Sequence, residues 1–163
     1  MTECNRSPIA FSSLGKRKVV ADFAGGTITR DGGVLLLRQI ERRVRLIERM
    51  DAALPDPRNQ SLITHSQVSM LRQRIFAIAL GQEDLNDHQT LRVDPLLQLA
   101  CERTVARDQP LASPPTLCRL ENRAMRRPLV EAAKVLVEVF IESHQAPPKE
   151  LILDFDATND SVH

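Results

Sequence analysis

The chain has 163 residues, 42% of them apolar and 26% charged. This is enough for one globular domain with a core, or for a helical domain followed by the start of another. The net charge of +1 neither requires nor excludes a nucleic-acid partner, but five Phe with no Trp or Tyr argue against an aromatic platform for single-stranded nucleic acid.

The sequence also predicts the cellular location of the protein and the state of its cysteines. No apolar run approaches the roughly 20 residues of a membrane span, and the N-terminus lacks a signal-peptide pattern, so we expect a cytoplasmic protein with no membrane partner. Cys4, Cys101 and Cys118 have no paired spacing, which indicates neither a disulfide framework nor a zinc site. Cys101 and Cys118 are predicted to be buried.

The N-terminal region predicts an arm and a small β element. Residues 1–16 are polar and predict a flexible arm, beside which Lys16, Arg17 and Lys18 either are solvated or contact a phosphate backbone. Residues 18–23 and 27–29 are predicted strands joined by a glycine turn. The nearby glycine pairs complete no P-loop or GxGxxG pattern, so no nucleotide site is predicted.

A helix is predicted from Val34 to about Asp51. Its apolar positions predict a core stripe of Leu37, Ile40, Val44 and Ile47. Arginines recur at the same spacing on the opposite face, and they are Arg38, Arg42, Arg45 and Arg49. This cationic face either tracks a DNA backbone through contacts with phosphates or is a solvated face partly neutralised by glutamates.

Two shorter helices are predicted in the middle of the chain. The sequence from Thr64 to Gln67 is a capping box, and Gly81 is the expected stop of the helix that it opens. That helix has a predicted core stripe of Val68, Leu71, Ile75 and Ile78. The acidic segment 81–88 is expected to cap helices rather than bind a metal. Asp94 and Pro95 are expected to start the next helix, which continues to about Thr104.

The segment after Ser113 predicts a short helix whose N-cap is that serine. One face carries Thr116, Arg119 and Arg123, as a DNA-reading helix of a helix-turn-helix-like unit would. A structural helix with exposed arginines fits the same pattern. Leu117 and Leu120 are expected to face the core.

The last long helix is predicted to open at Pro128 and to close at Pro147-Pro148, where we place a domain boundary. Leu129, Ala133, Leu136 and Phe140 form its predicted core stripe. Residues 151–153 then predict a short buried strand that ends in Asp154 and Asp156. Paired carboxylates at such a position suit phosphoryl or phosphodiester chemistry, since they hold Mg²⁺ ions.

Two known protein families have a similar pattern of acids to that of residues 154–158. Residues 154–158 resemble the DxDxT signature of haloacid-dehalogenase-type phosphatases, which implies that Asp154 is a nucleophile and Asp156 a general acid. Those enzymes place the motif early and need a long α/β domain after it, whereas here only residues 159–163 follow.

The second resemblance extends over nearly the whole chain. Asp22-Phe23 is followed in order by GTITRDGGVLLL at 26–37, LRQRIFA at 71–77, GQEDLND at 81–87, LRVDPLL at 91–97, TLCRLEN at 116–122 and LDFDAT at 153–158. The order of these blocks resembles the N-terminal part of group-one DDE transposases from bacterial insertion sequences.

This resemblance implies a helical N-terminal region that binds double-stranded DNA at the terminal inverted repeats, followed by a ribonuclease-H-like catalytic domain. It implies three acids that bind two Mg²⁺ ions, with Mn²⁺ possible, in a protein that is a homo-oligomer when intact. Asp156 best matches the first of the three acids, and Asp154 is the alternative because strand alternation places both on one face.

The resemblance also predicts the organisation of the chain. We expect an arm at 1–16, a mainly α-helical DNA-binding domain at 17–148 with a small β element, and the first strand of a truncated ribonuclease-H-like α/β domain at 149–163. The second Asp and the Glu of the triad are expected downstream of His163, so we expect no cleavage by this chain alone. The alternatives are a non-catalytic DNA-binding fragment or inhibitor of transposition, and a phosphatase fragment.

Overall fold

The computed structural model describes residues 8–21, 31–103 and 109–153, and a β-hairpin begins the described part. Strand β1 (Ile9–Leu14) pairs antiparallel with β2 (Arg17–Ala21), with Leu14 opposite Arg17. The turn between them has two residues, and Gly15 adopts a φ of +56°, in the left-handed region that glycine enters without strain. The arm predicted up to residue 16 is therefore a strand from Ile9, and the strand predicted at 27–29 lies outside the described residues.

Two helices, α1 (Val34–Val44) and α2 (Leu46–Ala53), replace the single helix predicted from residue 34 to 51. The break is at Arg45, whose φ of 57° is left-handed. The buried carboxylate of Glu41 accepts a hydrogen bond from the backbone nitrogen of Ile47 at 2.9 Å, and so caps the start of α2. Burial raises the pKa of Glu41, and the backbone hydrogen bonds from Ile47 and Glu48 work against that rise.

Helix α1 is turned differently from the predicted orientation. Val34 and Leu35 are buried together with Arg38, whereas Ile40 of the predicted core stripe is exposed. The expected opposition of an apolar and a cationic face is wrong here because the hairpin, rather than solvent, lies against Arg38. Ile47 of the predicted stripe is buried, as expected.

Helix α3 (Gln67–Ala79) is capped by Ser66 rather than by Thr64, since the Ser66 hydroxyl accepts a hydrogen bond from the Ser69 nitrogen at 3.3 Å. The predicted stop is confirmed: Gly81 has a φ of +81°, as is typical of a helix C-terminus. The predicted stripe is wrong at its end, where Ile78 is exposed.

A short 3₁₀ turn (Leu85–Asp87), α4 (His88–Leu91) and α5 (Pro95–Ala100) follow. The capping role predicted for the acidic segment is confirmed at Asp84, whose carboxylate accepts from the Asn86 nitrogen at 2.8 Å. Asp94 caps α5, with Pro95 at its first position, also as predicted. Helix α5 ends at Ala100 instead of continuing to about residue 104.

Helix α6 (Pro114–Arg123) starts after Ser113 as predicted and joins the described core through Leu117 and Leu120. Two buried clusters make up this core. The first joins α1, α2, α3 and α5, and the second joins α3 to α6. Cys101 is buried, as predicted, but Cys118 is exposed on α6.

Helix α7 (Arg126–Glu142) begins before the predicted start at Pro128 and packs against α2. Only Ala132 and Val135 of this helix are buried, so the predicted core stripe through Leu136 and Phe140 is wrong: both are exposed. The stripe is apolar, but α2 covers the neighbouring face of the helix.

Residues 151–153, predicted as a buried strand, are exposed and form no strand, because nothing in the described part of the chain pairs with them. The described fold is mainly α-helical with a small antiparallel sheet near the N-terminus, as predicted. No helix among the described residues is both long and apolar enough to cross a bilayer.

Candidate nucleic-acid interface

The predicted catalytic acids Asp154 and Asp156 lie outside the described residues. Within residues 8–21, 31–103 and 109–153, no three His, Cys, Asp or Glu side chains come close enough together to hold a metal ion. The candidate site that the described structure presents is therefore its arrangement of arginines and lysines.

Arg38 is an interior residue with a relative exposure of 1%. Its Nε donates to Glu102 Oε1 at 3.0 Å, and its Nη2 donates to Glu102 Oε2 at 3.2 Å, which makes a bidentate pair. Its Nη1 donates to the backbone oxygen of Ser12 at 2.6 Å and its Nη2 to that of Ser13 at 3.3 Å. The side chain thus joins β1 to the turn after α5.

Arg42 lies one turn further along α1 and is more exposed. Its Nη1 donates to Glu102 Oε1 and to the backbone oxygen of Ser13, at 3.3 Å and 3.4 Å. About half of the Arg42 side-chain surface is open to solvent. A phosphate can therefore reach Arg42, whereas it cannot reach Arg38.

Arg45 and Arg49 complete the predicted stripe on α2 and its junction with α1. Arg45 Nε donates to Glu48 Oε2 at 2.7 Å, and most of the side chain is exposed. Arg49 forms a bidentate pair with Glu142 of α7, at 2.7 Å and 2.8 Å, and a further bond to Glu138 at 3.0 Å. The guanidinium of Arg49 lowers the pKa of Glu142.

Each of the four arginines predicted to track DNA therefore has a carboxylate partner within this chain. Arg38 and Arg49 connect separate elements, and Arg42 and Arg45 keep exposed guanidinium groups. A phosphate that approaches this stripe would compete with these internal ion pairs.

The second predicted DNA-contacting group, on α6, divides in two. Arg123 turns toward the body of the chain, where its Nη2 donates to Gln67 Oε1 at 3.1 Å and its Nη1 lies 3.5 Å from Asp56 Oδ1. Thr116 is half-buried and accepts a hydrogen bond from Arg119 Nη2 at 3.2 Å. Arg119 is exposed, and no carboxylate among the described residues pairs with it.

Helix α6 holds Arg119 outward because its other faces are anchored. Leu117 and Leu120 are buried in the cluster shared with α3. On a flank of the helix, Glu121 accepts a hydrogen bond from Arg74 Nε of α3 at 2.6 Å. Next to Arg119 in the exposed sector is Asn122, whose amide donates to Cys118 Sγ at 3.2 Å.

A buried hydrogen-bond network positions the segment that leads into α6. The sequence did not predict this network. Gln73 on α3 donates to the backbone oxygen of Ala112 at 2.9 Å and accepts from its nitrogen at 3.0 Å. The same Gln73 amide lies 3.0 Å from Nδ1 of His88, which is fully buried. Gln73 and His88 form no sequence motif that would identify them as partners, so the sequence alone does not predict this network.

Other cations on the described surface have no carboxylate partner there. These exposed side chains belong to the β1–β2 turn, to the start of β2, to α1, to the start of α7 and to the segment after it, and they are Lys16, Arg17, Lys18, Arg43, Arg126, Arg127 and Lys149. The first three form a basic run that is visible in the sequence, and the rest form no periodic stripe that spacing would detect.

Comparison with known proteins gives one match. The family model described as transposase DDE domain, group 1, matches residues 11–163, which include every helix described above. No curated protein and no solved structure gives a significant match. Since the matched residues make up nearly the whole chain, this protein belongs to the group 1 family of DDE-domain transposases.

Proposed function

We propose that this chain is the DNA-binding N-terminal part of an insertion-sequence transposase and that it recognises the terminal inverted repeats of its element. The family match over residues 11–163 carries the proposal. The outward position of Arg119 on an anchored helix supports it, because an exposed guanidinium that pairs with no carboxylate of the described residues is available to guanine or phosphate.

Within this proposal, α6 is the reading helix. Arg119 makes the main contact, and Thr116 positions it through the hydrogen bond between their side chains. Arg123 supports the helix from behind through Gln67 and Asp56. The exposed arginines Arg42 and Arg45 supply weaker contacts to phosphates.

The experiment measures the affinity of the full 163-residue chain for a duplex that carries the inverted repeat flanking its gene, against a scrambled duplex of the same composition. Arg119→Ala is expected to weaken repeat binding by about tenfold or more, because a good contact to a base contributes about 1–3 kcal/mol of discrimination. Lys134→Ala is the matched control: it removes an exposed cation that pairs with Glu131 on α7. Equal affinity of wild type for the two duplexes would refute the recognition of repeats.

We further propose that in the intact enzyme, with its ribonuclease-H-like domain, Asp156 is the first of the acids that hold Mg²⁺, with Asp154 as the alternative. Bound Mg²⁺ would stabilise charge on the attacking and leaving oxygens during cleavage and strand transfer. Asp156→Asn in the intact enzyme is expected to abolish Mg²⁺-dependent nicking of the repeat ends, while Asp154→Asn retains part of it. The opposite result would assign the ligand to Asp154, and nicking unaffected by either change would remove both from the site.

A further inference from the structure

The turn of the β-hairpin concentrates positive charge at the surface. Lys16 occupies the turn itself, and Arg17 and Lys18 open β2, with all three side chains exposed. Successive residues of a strand point to opposite faces, so Arg17 and Lys18 place charge on both sides of the hairpin. None of the three has a carboxylate partner among the described residues.

The hairpin is held in place on α1 by hydrogen bonds to its backbone. Arg38 donates to the carbonyl oxygens of Ser12 and Ser13. The Ser12 nitrogen donates to Gln39 Oε1 at 3.0 Å, and the Ser12 hydroxyl bonds the same oxygen. The cations of the turn therefore extend from an anchored element, so less conformational freedom is lost when they bind a partner.

The neighbouring surface of α1 adds charge of the same sign. Arg43 is exposed and lies one helical turn beyond Gln39, on the face that contacts the hairpin. Glu102, which faces the contact between α1 and the hairpin, binds Arg38 and Arg42. The carboxylate of Glu41 on α1 points inward to the nitrogen of Ile47. The overall charge of the chain is only +1, so this surface is a local concentration of positive charge.

We propose that the hairpin turn, with Lys16, Arg17, Lys18 and Arg43, is a second DNA-contacting surface that binds the phosphate backbone without reading sequence. This inference rests on the proposed function and adds to α6 a contact of a different kind. Lysine and arginine provide charge for phosphates, and the tip of the hairpin carries no exposed large apolar side chain of the kind that inserts into a lipid interface.

The test compares the salt dependence of DNA binding by the full-length wild type and by the variant Lys16→Gln, Arg17→Gln, Lys18→Gln, using a fluorescein-labelled duplex of mixed sequence. Each phosphate contact contributes about 0.9 to the slope of log affinity against log salt concentration. We expect the variant to reduce the slope by roughly two to three and to weaken binding equally on repeat and scrambled duplexes.

Two further variants separate the site from net charge and from folding. Arg126→Gln, Arg127→Gln, Lys149→Gln removes the same charge at other exposed positions and is expected to keep a slope close to that of wild type. Lys16→Arg, Arg17→Lys, Lys18→Arg keeps the charge of the turn and is expected to keep the slope. Circular dichroism should give the same thermal midpoint for all three variants, because these side chains make no buried contacts.

The possible results distinguish the hairpin contact with DNA from the recognition of the terminal repeats. A hairpin variant with the wild-type slope, or a control with the same loss of slope, overturns the hairpin contact while repeat binding by wild type still supports the proposed function. Absence of any duplex binding by wild type overturns the proposed function, and the hairpin contact with it. Loss of binding to phosphatidylserine vesicles but not to DNA would assign the hairpin to membranes instead and overturn the inference.

Discussion

The junction of the hairpin with α1 and the junction of α2 with α7 both depend on an arginine, and the two arginines differ in burial. Arg38 is almost fully buried and binds two carbonyl oxygens as well as Glu102. Arg49 binds two glutamates of α7 whose side chains are more than half exposed. Removing the buried Arg38 takes the arginine donor from the Ser12 carbonyl oxygen, whereas water can replace the half-buried Arg49 at its exposed glutamates.

The first prediction tests this difference directly. Arg38→Met should lower the free energy of unfolding by about 2 kcal/mol, because it leaves the carbonyl oxygen of Ser12 without its arginine donor. Ser13 and Glu102 keep only their hydrogen bonds from Arg42. Arg49→Met should have a much smaller effect that disappears at about 1 M salt, where exposed ion pairs are screened. Urea unfolding followed by circular dichroism, at low and high salt, measures both.

A matched control is available on α1 itself. Arg43→Met changes an exposed arginine of the same helix and should shift the unfolding free energy by less than about 0.5 kcal/mol. If Arg38→Met and Arg43→Met were equally mild, the contacts of Arg38 would contribute little to stability. An equally large effect of Arg49→Met, insensitive to salt, would show that burial does not separate the two junctions.

The same contrast explains which features the sequence predicted. Local signals predicted helix starts and stops well, since Asp94, Ser113 and Gly81 act through contacts with their own neighbours in the chain. Helical spacing predicted that Arg38 and Arg49 share a face, but their partners come from β1, from the turn after α5 and from α7. Spacing within one helix carries no information about such distant partners.

The break at Arg45 is a feature that the local sequence pattern does not predict. Every residue from Val34 to Asp51 is compatible with one helix, and the break depends on the Glu41 carboxylate accepting from the Ile47 nitrogen in the interior. Along α7 the apolar stripe through Leu136 is real in the sequence, but it is exposed because α2 packs on the adjacent face. Tertiary packing decides both cases.

For the candidate site, helical spacing predicted which residues share a face of α6 but not which of them bond to the rest of the chain. Arg119 is exposed on α6 as a reading residue requires, whereas Arg123, at the same spacing, is bound to Gln67 and Asp56. The cations of the hairpin turn lie next to a strand that the sequence assigned to a flexible arm. Whether a cation is free depends on which acids the fold brings near it.

A smaller effect extends the contrast between buried and exposed groups to histidine. His88 is fully buried, and the Gln73 amide that faces its Nδ1 is fixed in orientation by both backbone groups of Ala112. Nδ1 must therefore accept a hydrogen bond, which only the neutral tautomer protonated at Nε2 permits. His144, at the end of α7, is exposed and makes local contacts with Phe140.

Acidification should therefore destabilise the fold through His88. Burial is the main cause that lowers the pKa of His88 below its usual value of 6.5, Arg74 lowers it further, and Asp87 and Glu121 oppose the change. The unfolded chain then binds the proton more readily, so the contribution to stability is complete above about pH 6.5 and is lost as the pH falls below it. Partial burial also lowers the pKa of His65, which contributes in the same direction.

The measurement is the urea midpoint from about pH 7.5 down to about pH 5.5, for wild type, His88→Gln and His144→Gln. His88→Gln should flatten the pH dependence, since glutamine cannot take up a proton and can still accept from Gln73. His144→Gln replaces an exposed histidine outside the buried network and is the control substitution. Burial raises the pKa of Glu41 and of Asp51, which acts in the opposite direction. The decisive quantity is therefore the difference between variant and wild type, and identical curves for His88→Gln and wild type would show that the buried network does not control the response to acid.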